Sequence, residues 1–422
     1  MKKKITFLIF YLININPTFS QIQTDTSRIE WIDGYLDIHH ILTGSGDCTF
    51  VIMPDGTNLL IDAGDIGDRS LRKGGYPLKS TEEYPNNSKT AARWIFEYIK
   101  QVIPNTFKNE IDYALLTHFH DDHIGGITNN TKTSKNGNYK ISGISEIAEY
   151  IPIDLIIDRN YPNYDFPTNL KLAYNNEPSI FLNYLKFIDY QQQKNGLLIQ
   201  QLIPGSTNQI IQKNNQKKFS NFKIRGVKAN GTIWTGKNEE TKVYISADSI
   251  IDKMGKFNEN PLSLAIKISY GKFDYFTGGD NTGLNGFGMP KWFDVETPIA
   301  KAVGKVDVTT LCHHGCRDAV NENFLNLLQP KIIVQQSWSS NHPGEEVLHR
   351  MIYSGIQNIF ATNILNETKI TLGFWLTNLY KSTFGHLIIR VLPGGYQFYV
   401  LVAETIDEKI KIKKAYGPFN SE

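Results

Sequence analysis

The chain has 422 residues, with 44 Lys and Arg against 42 Asp and Glu, a formal net charge of +2. Its 41% hydrophobic and 20% charged residues are the makeup of a globular protein with a sizeable core and exclude a disordered or fibrous chain. Taking Lys2, Lys3 and Lys4 out of the count leaves 41 basic residues against 42 acidic, so most of the chain is not built as a whole to attract a polyanion.

Lys2 to Lys4, the apolar run Ile5 to Ile13, and Thr18-Phe19-Ser20 before Gln21 predict a secretory leader over residues 1–20, and with it export to the periplasm or beyond. The apolar run is far short of the roughly 20 residues that span a bilayer, and no later segment is apolar enough to do so. No cysteine follows the run at the usual lipoprotein position. A lead-in covers 21–34, and a single hydrolase domain is expected over 35–405. Within it, Leu36 to Leu42, Cys48 to Met53 and Asn58 to Gly64 read as three strands of an antiparallel sheet, with Pro54-Asp55-Gly56-Thr57 as a turn. Ala91, Ala92, Trp94, Ile95, Tyr98, Ile99 and Val102 recur at helical spacing and stop at Pro104. Ile111 to Thr117 is a buried strand.

Residues 127–243 read as an elaboration, with a strand at Ile153 to Asp158 and a helix from Ser179 to Gln192. Lys213, Lys217, Lys218, Lys223, Arg225, Lys228 and Lys237 fall in a stretch free of acids. In a chain rich in Lys and Asn this reads as a solvated loop and hairpin, and a nucleic-acid partner would need these cations gathered on one surface. Leu262 to Ser269 and Phe273 to Thr277 form a hairpin. Val306 to Leu311, Lys331 to Gln335 and Leu387 to Val391 are strands, Glu322 to Leu328 is a helix, and helix and strand follow from Glu345 to Thr362. A last hairpin turns at Pro393-Gly394-Gly395, and 406–422 reads as a tail. The three cysteines permit at most one bridge. Cys312 and Cys316 read as buried, idle thiols.

The chemistry is concentrated in His118-Phe119-His120-Asp121-Asp122-His123-Ile124-Gly125-Gly126, which follows directly on a strand. Imidazole and carboxylate suit zinc, manganese or iron. Residues 118 and 120 of an extended segment point the same way, and a helix starting at Asp122 and His123 would address a second ion nearby, the arrangement of two-metal hydrolases. One or two divalent ions are expected, zinc first and manganese second.

This motif resembles the defining motif of the metallo-β-lactamase superfamily, and the resemblance implies an α/β fold, the αββα sandwich, with metals at one edge of the sheets. Leu59 to Gly64 resembles the motif whose Asp, here Asp62, supports the metal loop. Phe276 to Asp280 resembles the motif whose Asp bridges two ions, and His313-His314-Gly315 the late His-His-Gly loop. Gly44-Ser45-Gly46-Asp47-Cys48, Asn260-x-x-Ser263-Leu264 and Asn341-His342-Pro343 are similar to the branch containing the hydrolase domain of the competence protein ComEC, and several of these features occur in bacterial phosphorylcholine esterases. The resemblance implies His118, His120, Asp122, His123 and Asp280 as ligands together with one histidine of the pair His313-His314, the other facing the substrate; the assignment taken is His314 to metal and Asp122 and His313 as catalytic groups, the reverse order of the pair remaining open, with His342 and Asn260 in the same polar cleft.

Two positions depart from the pattern. No histidine lies between His123 and Asp280, where β-lactamases and glyoxalases carry a third ligand of the first ion; Asp158, at a strand end, is a substitute to weigh against an ordinary loop Asp. Cys316 stands where the branch usually has Ser. The expected reaction is hydrolysis of a small or polymeric phosphodiester by metal-bound hydroxide, with carbonyl hydrolysis of the lactamase or lactonase type, or a non-catalytic binding module, as alternatives.

Overall fold

In Tyr113-Ala114-Leu115-Leu116, successive side chains enter different cores: Tyr113 and Leu115 one, Ala114 and Leu116 another. A strand apolar on both faces must be covered on both, and this requirement organises the molecule. The computed structural model describes residues 29–67, 78–104, 108–176, 178–252, 255–284 and 286–422; the predicted leader and most of the lead-in lie outside the described residues.

Two nine-stranded sheets face each other. The first comprises β1 (Leu36–His40), β2 (Thr49–Ile52), β3 (Asn58–Ile61), β4 (Ile111–Leu115), β5 (Ile153–Asp158), β6 (Leu198–Gln201), β16 (His386–Val391), β17 (Gln397–Ile406) and β18 (Lys409–Asn420), in the order β18-β17-β16-β1-β2-β3-β4-β5-β6. The second comprises β7 (Phe222–Ala229), β8 (Thr232–Trp234), β9 (Thr241–Val243), β10 (Ala265–Tyr270), β11 (Phe273–Thr277), β12 (Val308–Thr310), β13 (Ile332–Gln335), β14 (Ile359–Ala361) and β15 (Tyr380–Ser382), in the order β15-β14-β13-β12-β11-β10-β7-β8-β9. Each sheet is antiparallel on one side and parallel on the other, β3 to β6 in the first and β11 to β15 in the second.

The helices are α1 (Ala91–Val102), α2 (Asp121–Ile124), α3 (Ile144–Ile147), α4 (Leu170–Ala173), α5 (Ile180–Asn195), α6 (Ala247–Ile250), α7 (Glu296–Val303), α8 (Glu322–Leu328), α9 (Glu345–Tyr353) and α10 (Asn366–Leu379). Helix α1 starts where the Thr90 hydroxyl accepts the Arg93 N–H, and α5 where Ser179 accepts that of Leu182. Helices α1 and α5 cover the outer face of the first sheet, and α7, α8 and α9 that of the second. Between the sheets, Ile38, Val51, Leu59 and Leu115 pack with Ile266, Ile268, Val308 and Val334. The layers are therefore α, β, β, α. In both parallel halves the strands end at the same edge, where loops can converge.

One sequence expectation is corrected. Residues 406–422 are not a tail: Lys409 to Asn420 pair with β17 as an edge strand. The alternation of Ile410 and Ile412 with Lys409, Lys411 and Lys413 is weak because an exposed edge needs little apolar surface and lysines keep it from pairing further. Residues 127–243, read as an elaboration, supply β5 and β6 to one sheet and β7 to β9 to the other. Helix α10, for which no element was predicted, buries only Thr368 and Leu376 and so shows no helical stripe. The three cysteines are buried and unbridged.

Three histidines are locked neutral in the first sheet. The Nδ1 of His386 accepts the Leu42 N–H, so its Nε2–H faces Thr405 Oγ1 at 2.9 Å. His39 meets the Tyr98 hydroxyl and His40 that of Thr49. Burial pushes each from 6.5 down to about 3. The unfolded chain then binds protons that the folded chain does not, so the stability involved is complete above pH 6.5 and is lost as pH falls from there towards 3. At pH 5 the loss is roughly 2 kcal/mol per histidine. The urea midpoint should drop steeply between pH 7 and 5, and His386→Gln should flatten that slope; an unaltered slope would clear His386 of the effect.

Candidate metal centre

Strand β4 runs out at Leu115, the backbone stays extended to His120 (φ −88°, ψ 159°), and α2 begins at Asp121. His118 and His120 therefore lie together, with His118 Nε2 3.0 Å from His120 Nδ1. The turn of α2 brings His123 beneath them, its ring centroid 4.2 Å from that of His118. Asp62, in left-handed backbone just past β3 (φ 57°), holds this segment from behind. It accepts the Thr117 N–H at 2.8 Å, the Thr117 hydroxyl at 2.7 Å, and His123 Nδ1–H at 2.8 Å. Gly64 must be glycine, since a Cβ there would lie 1.9 Å from the Asp122 carbonyl oxygen.

The second sheet delivers the other half. After β11, Gly279 (φ 53°) lets the chain pass Thr117, whose Cβ would be 2.8 Å from a Cβ at 279, and Asp280 follows. Its Oδ1 is 3.1 Å from His123 Nε2 and 3.6 Å from His314 Nε2; its Oδ2 is 3.7 Å from His118 Nε2 and 3.8 Å from His313 Nε2. After β12 both His313 (φ 46°) and His314 (φ 54°) are left-handed. Such backbone costs of order 1–3 kcal/mol per residue and persists where the surroundings over-determine it. Here the His313 N–H donates to Gly279 O and Gln335 Nε2 to His314 O. The imidazoles then diverge. His314 donates Nδ1–H to Asp47 at 3.0 Å and turns Nε2 to Asp122, 2.9 Å away. His313 donates Nδ1–H to Asp318 at 2.6 Å and sets Nε2 beside Asn260 Nδ2 at 3.1 Å.

Two groups of ligand atoms result, Asp122-His123-Asp280-His314 and His118-His120-Asp280, each within 4.8 Å. His123 Nε2 and Asp280 Oδ1 are buried without a hydrogen-bond partner. Buried polar atoms normally have one, and nitrogen and oxygen donors facing a common point suit a divalent cation. Burial pushes the Asp280 carboxyl up, but His123, His314 and His313 around it pull it well below the usual range. Burial, then His123, holds His118 well below its usual value, leaving a neutral imidazole with a lone pair to offer. Both groups open on a cavity of about 360 Å³ whose walls include Leu78, Trp338, Asn341 and His342. His342 stacks on His314 with ring centroids 4.8 Å apart.

Residues 105–176, which contain the His118–His123 motif, match the sequence pattern of the Metallo-beta-lactamase superfamily. The chain has the metallo-β-lactamase fold. No curated protein matches the sequence. Among solved structures, a mutant of CmlA beta-hydroxylase shares 11% identity at a TM-score of 0.37, over 85% of this chain and 54% of its own, so this chain spans about half of it. Unliganded yeast PDE1 shares 11% at 0.36, over 84% and 98%. The metallo-beta-lactamase fold protein YhfI from Bacillus subtilis shares 9% at 0.33, over 84% and 99%. Fold and donor set together suggest a metallo-hydrolase.

Asp158 is not brought into either ligand group. Its carboxylate accepts from Asn160 N, Tyr161 N and the hydroxyls of Tyr164 and Tyr184, and four donors leave it nothing to offer an ion. Next to it, the buried Arg159 makes a bidentate pair with Glu259 at 2.6 and 2.8 Å, and Glu259 also accepts the Phe119 N–H. Sequence reasoning gave no role to Asp47, although it stood in a quoted motif, and none to Asp318, five residues past His313 with no periodicity to mark it. Asp158→Asn should lower the melting temperature while leaving metal content per chain unchanged by elemental analysis; a lost equivalent of metal would restore it as a ligand.

Proposed function

We propose that this chain is a metal-dependent phosphodiesterase acting on a compact diester outside the cytoplasm. The observation that carries the reading is Asp280, whose two carboxylate oxygens face different ligand groups at the floor of one cavity. The two groups would hold divalent ions, which would supply Lewis acidity and make water a better nucleophile near neutral pH. Asp122 orients the attacking water and takes up its proton. His313, fixed through Nδ1 by Asp318, presents Nε2 beside the Asn260 amide, two polar groups that can receive a phosphoryl oxygen or the leaving oxygen.

Charge supports a single diester over a nucleic-acid strand. Among the described residues no Lys or Arg lines the cavity. Lys213 pairs with Asp112 and Asp154 at the starts of β4 and β5, the edge opposite the metal loops, and Lys218 pairs with Asp33. Lys228 is buried, donating to the carbonyls of Pro261 and Ser263. The 213–237 cations thus form no groove at the site. Carbonyl hydrolysis is disfavoured by the missing third imidazole of the His118-His120-Asp280 group. Export rests on the predicted leader.

Purified protein from Gln21 onward should hydrolyse a bis-aryl phosphodiester with added Zn²⁺ or Mn²⁺ and stop in chelator. Asp122→Ala should abolish turnover, and His313→Ala should lower kcat by roughly 10²- to 10³-fold. Turnover that survives the chelator would sink the proposal.

A further inference from the structure

The two ligand groups are not braced alike. In Asp122-His123-Asp280-His314 both imidazoles are locked by carboxylates, His123 by Asp62 at 2.8 Å and His314 by Asp47 at 3.0 Å. All four ligands are buried. In His118-His120-Asp280 there are three ligands, and among the described residues no carboxylate hydrogen-bonds an imidazole from behind. Behind His118 stands the Thr117 hydroxyl, 3.2 Å from Nδ1, and His120 is half-buried with its Nδ1 turned to His118. The Arg159–Glu259 pair and the saturated Asp158 are committed to other partners and add no ligand.

A carboxylate behind a ligating imidazole fixes its tautomer and orientation and makes it a better donor; removing such a partner typically costs about 10- to 100-fold in metal affinity. Four buried donors also close a site, whereas three leave a position open. We propose that the centre loads unequally: Asp122-His123-Asp280-His314, braced by Asp47 and Asp62, takes the first ion, and His118-His120-Asp280 holds a second, exchangeable ion with an open position towards the cavity. This rests on the metallo-hydrolase reading but not on the choice of substrate. Asp47 is then a positioning residue, acting on the ion through His314.

The test is calorimetric titration of the metal-stripped chain with Zn²⁺, paired with elemental analysis after dialysis. Two phases separated by about tenfold or more are expected. His120→Ala should erase the weaker phase and keep the tighter, and His314→Ala should do the reverse. Asp47→Ala should weaken the tighter phase by about 10- to 100-fold, with Asp47→Asn, which keeps an oxygen for Nδ1–H, recovering part of it. Two equal phases in the unaltered chain, or loss of the tighter phase in His120→Ala with the fold intact by circular dichroism, would overturn the inequality and leave the hydrolase reading standing. No Zn²⁺ binding by the unaltered chain would overturn both.

Discussion

The carboxylate of Asp280 is the one group that both ligand sets share, and its position ties the two sheets to each other. His118, His120, Asp122 and His123 stand on loops of the first sheet, while Asp280 and His314 come from the second. Their separations are set by how the inter-sheet core packs, because that core fixes the distance between the ends of β4 and those of β11 and β12. A close-packed interior cannot shift by an ångström without cost. This is why the contact between Gly279 and Thr117 matters: it lets a second-sheet loop lie directly on a first-sheet loop, with the Thr117 hydroxyl at once bound to Asp62 and close to His118.

What the sequence disclosed about this centre followed the range of the interactions. The first four ligands were legible because they occupy six consecutive positions after a strand, so local geometry alone nearly assembles them. Asp62, Asp280 and His314 became legible through resemblance, each standing at the end of an apolar run, where a parallel strand delivers its loop. Asp47, Asp318 and Glu259 were not, because their roles depend on partners 267, 5 and 100 residues away that no periodicity links to them. The same division holds for the fold. Strands buried on both faces, such as Ile111 to Leu115, announced themselves, whereas the edge strand Lys409 to Asn420 and the poorly buried α10 carry too little apolar pattern to be read.

Asp158, a candidate ligand by sequence, is engaged elsewhere. The end of β5 still does structural work at the site's flank: Asp158 gathers two tyrosine hydroxyls and two backbone N–H groups, and Arg159 turns to Glu259. Glu259 in turn holds the Phe119 N–H, between the imidazoles of His118 and His120, and stands next to Asn260, which faces His313. Burial pushes the Glu259 carboxyl up, but Arg159 outweighs it and keeps the carboxyl below its usual range, so the pair is charged on both sides. Removing one partner of such a buried pair usually costs about 3–5 kcal/mol. The end of β5, which the sequence offered as a source of a further ligand, is instead a brace for the loops on either side.

Electrostatics then separates what the protein does from where its cations are. Among the described residues, every charged side chain lining the cavity is an aspartate or an imidazole, and none is Lys or Arg. Ions held there would add positive charge beside Asp280, where a bound anion would meet it at close range. The placement of Lys213 and Lys218 on the opposite edge, each spent on an acidic partner, removes the remaining source of long-range attraction among the described residues. Among the described residues, then, the cations that could draw in a long polyanion lie away from the candidate metal centre.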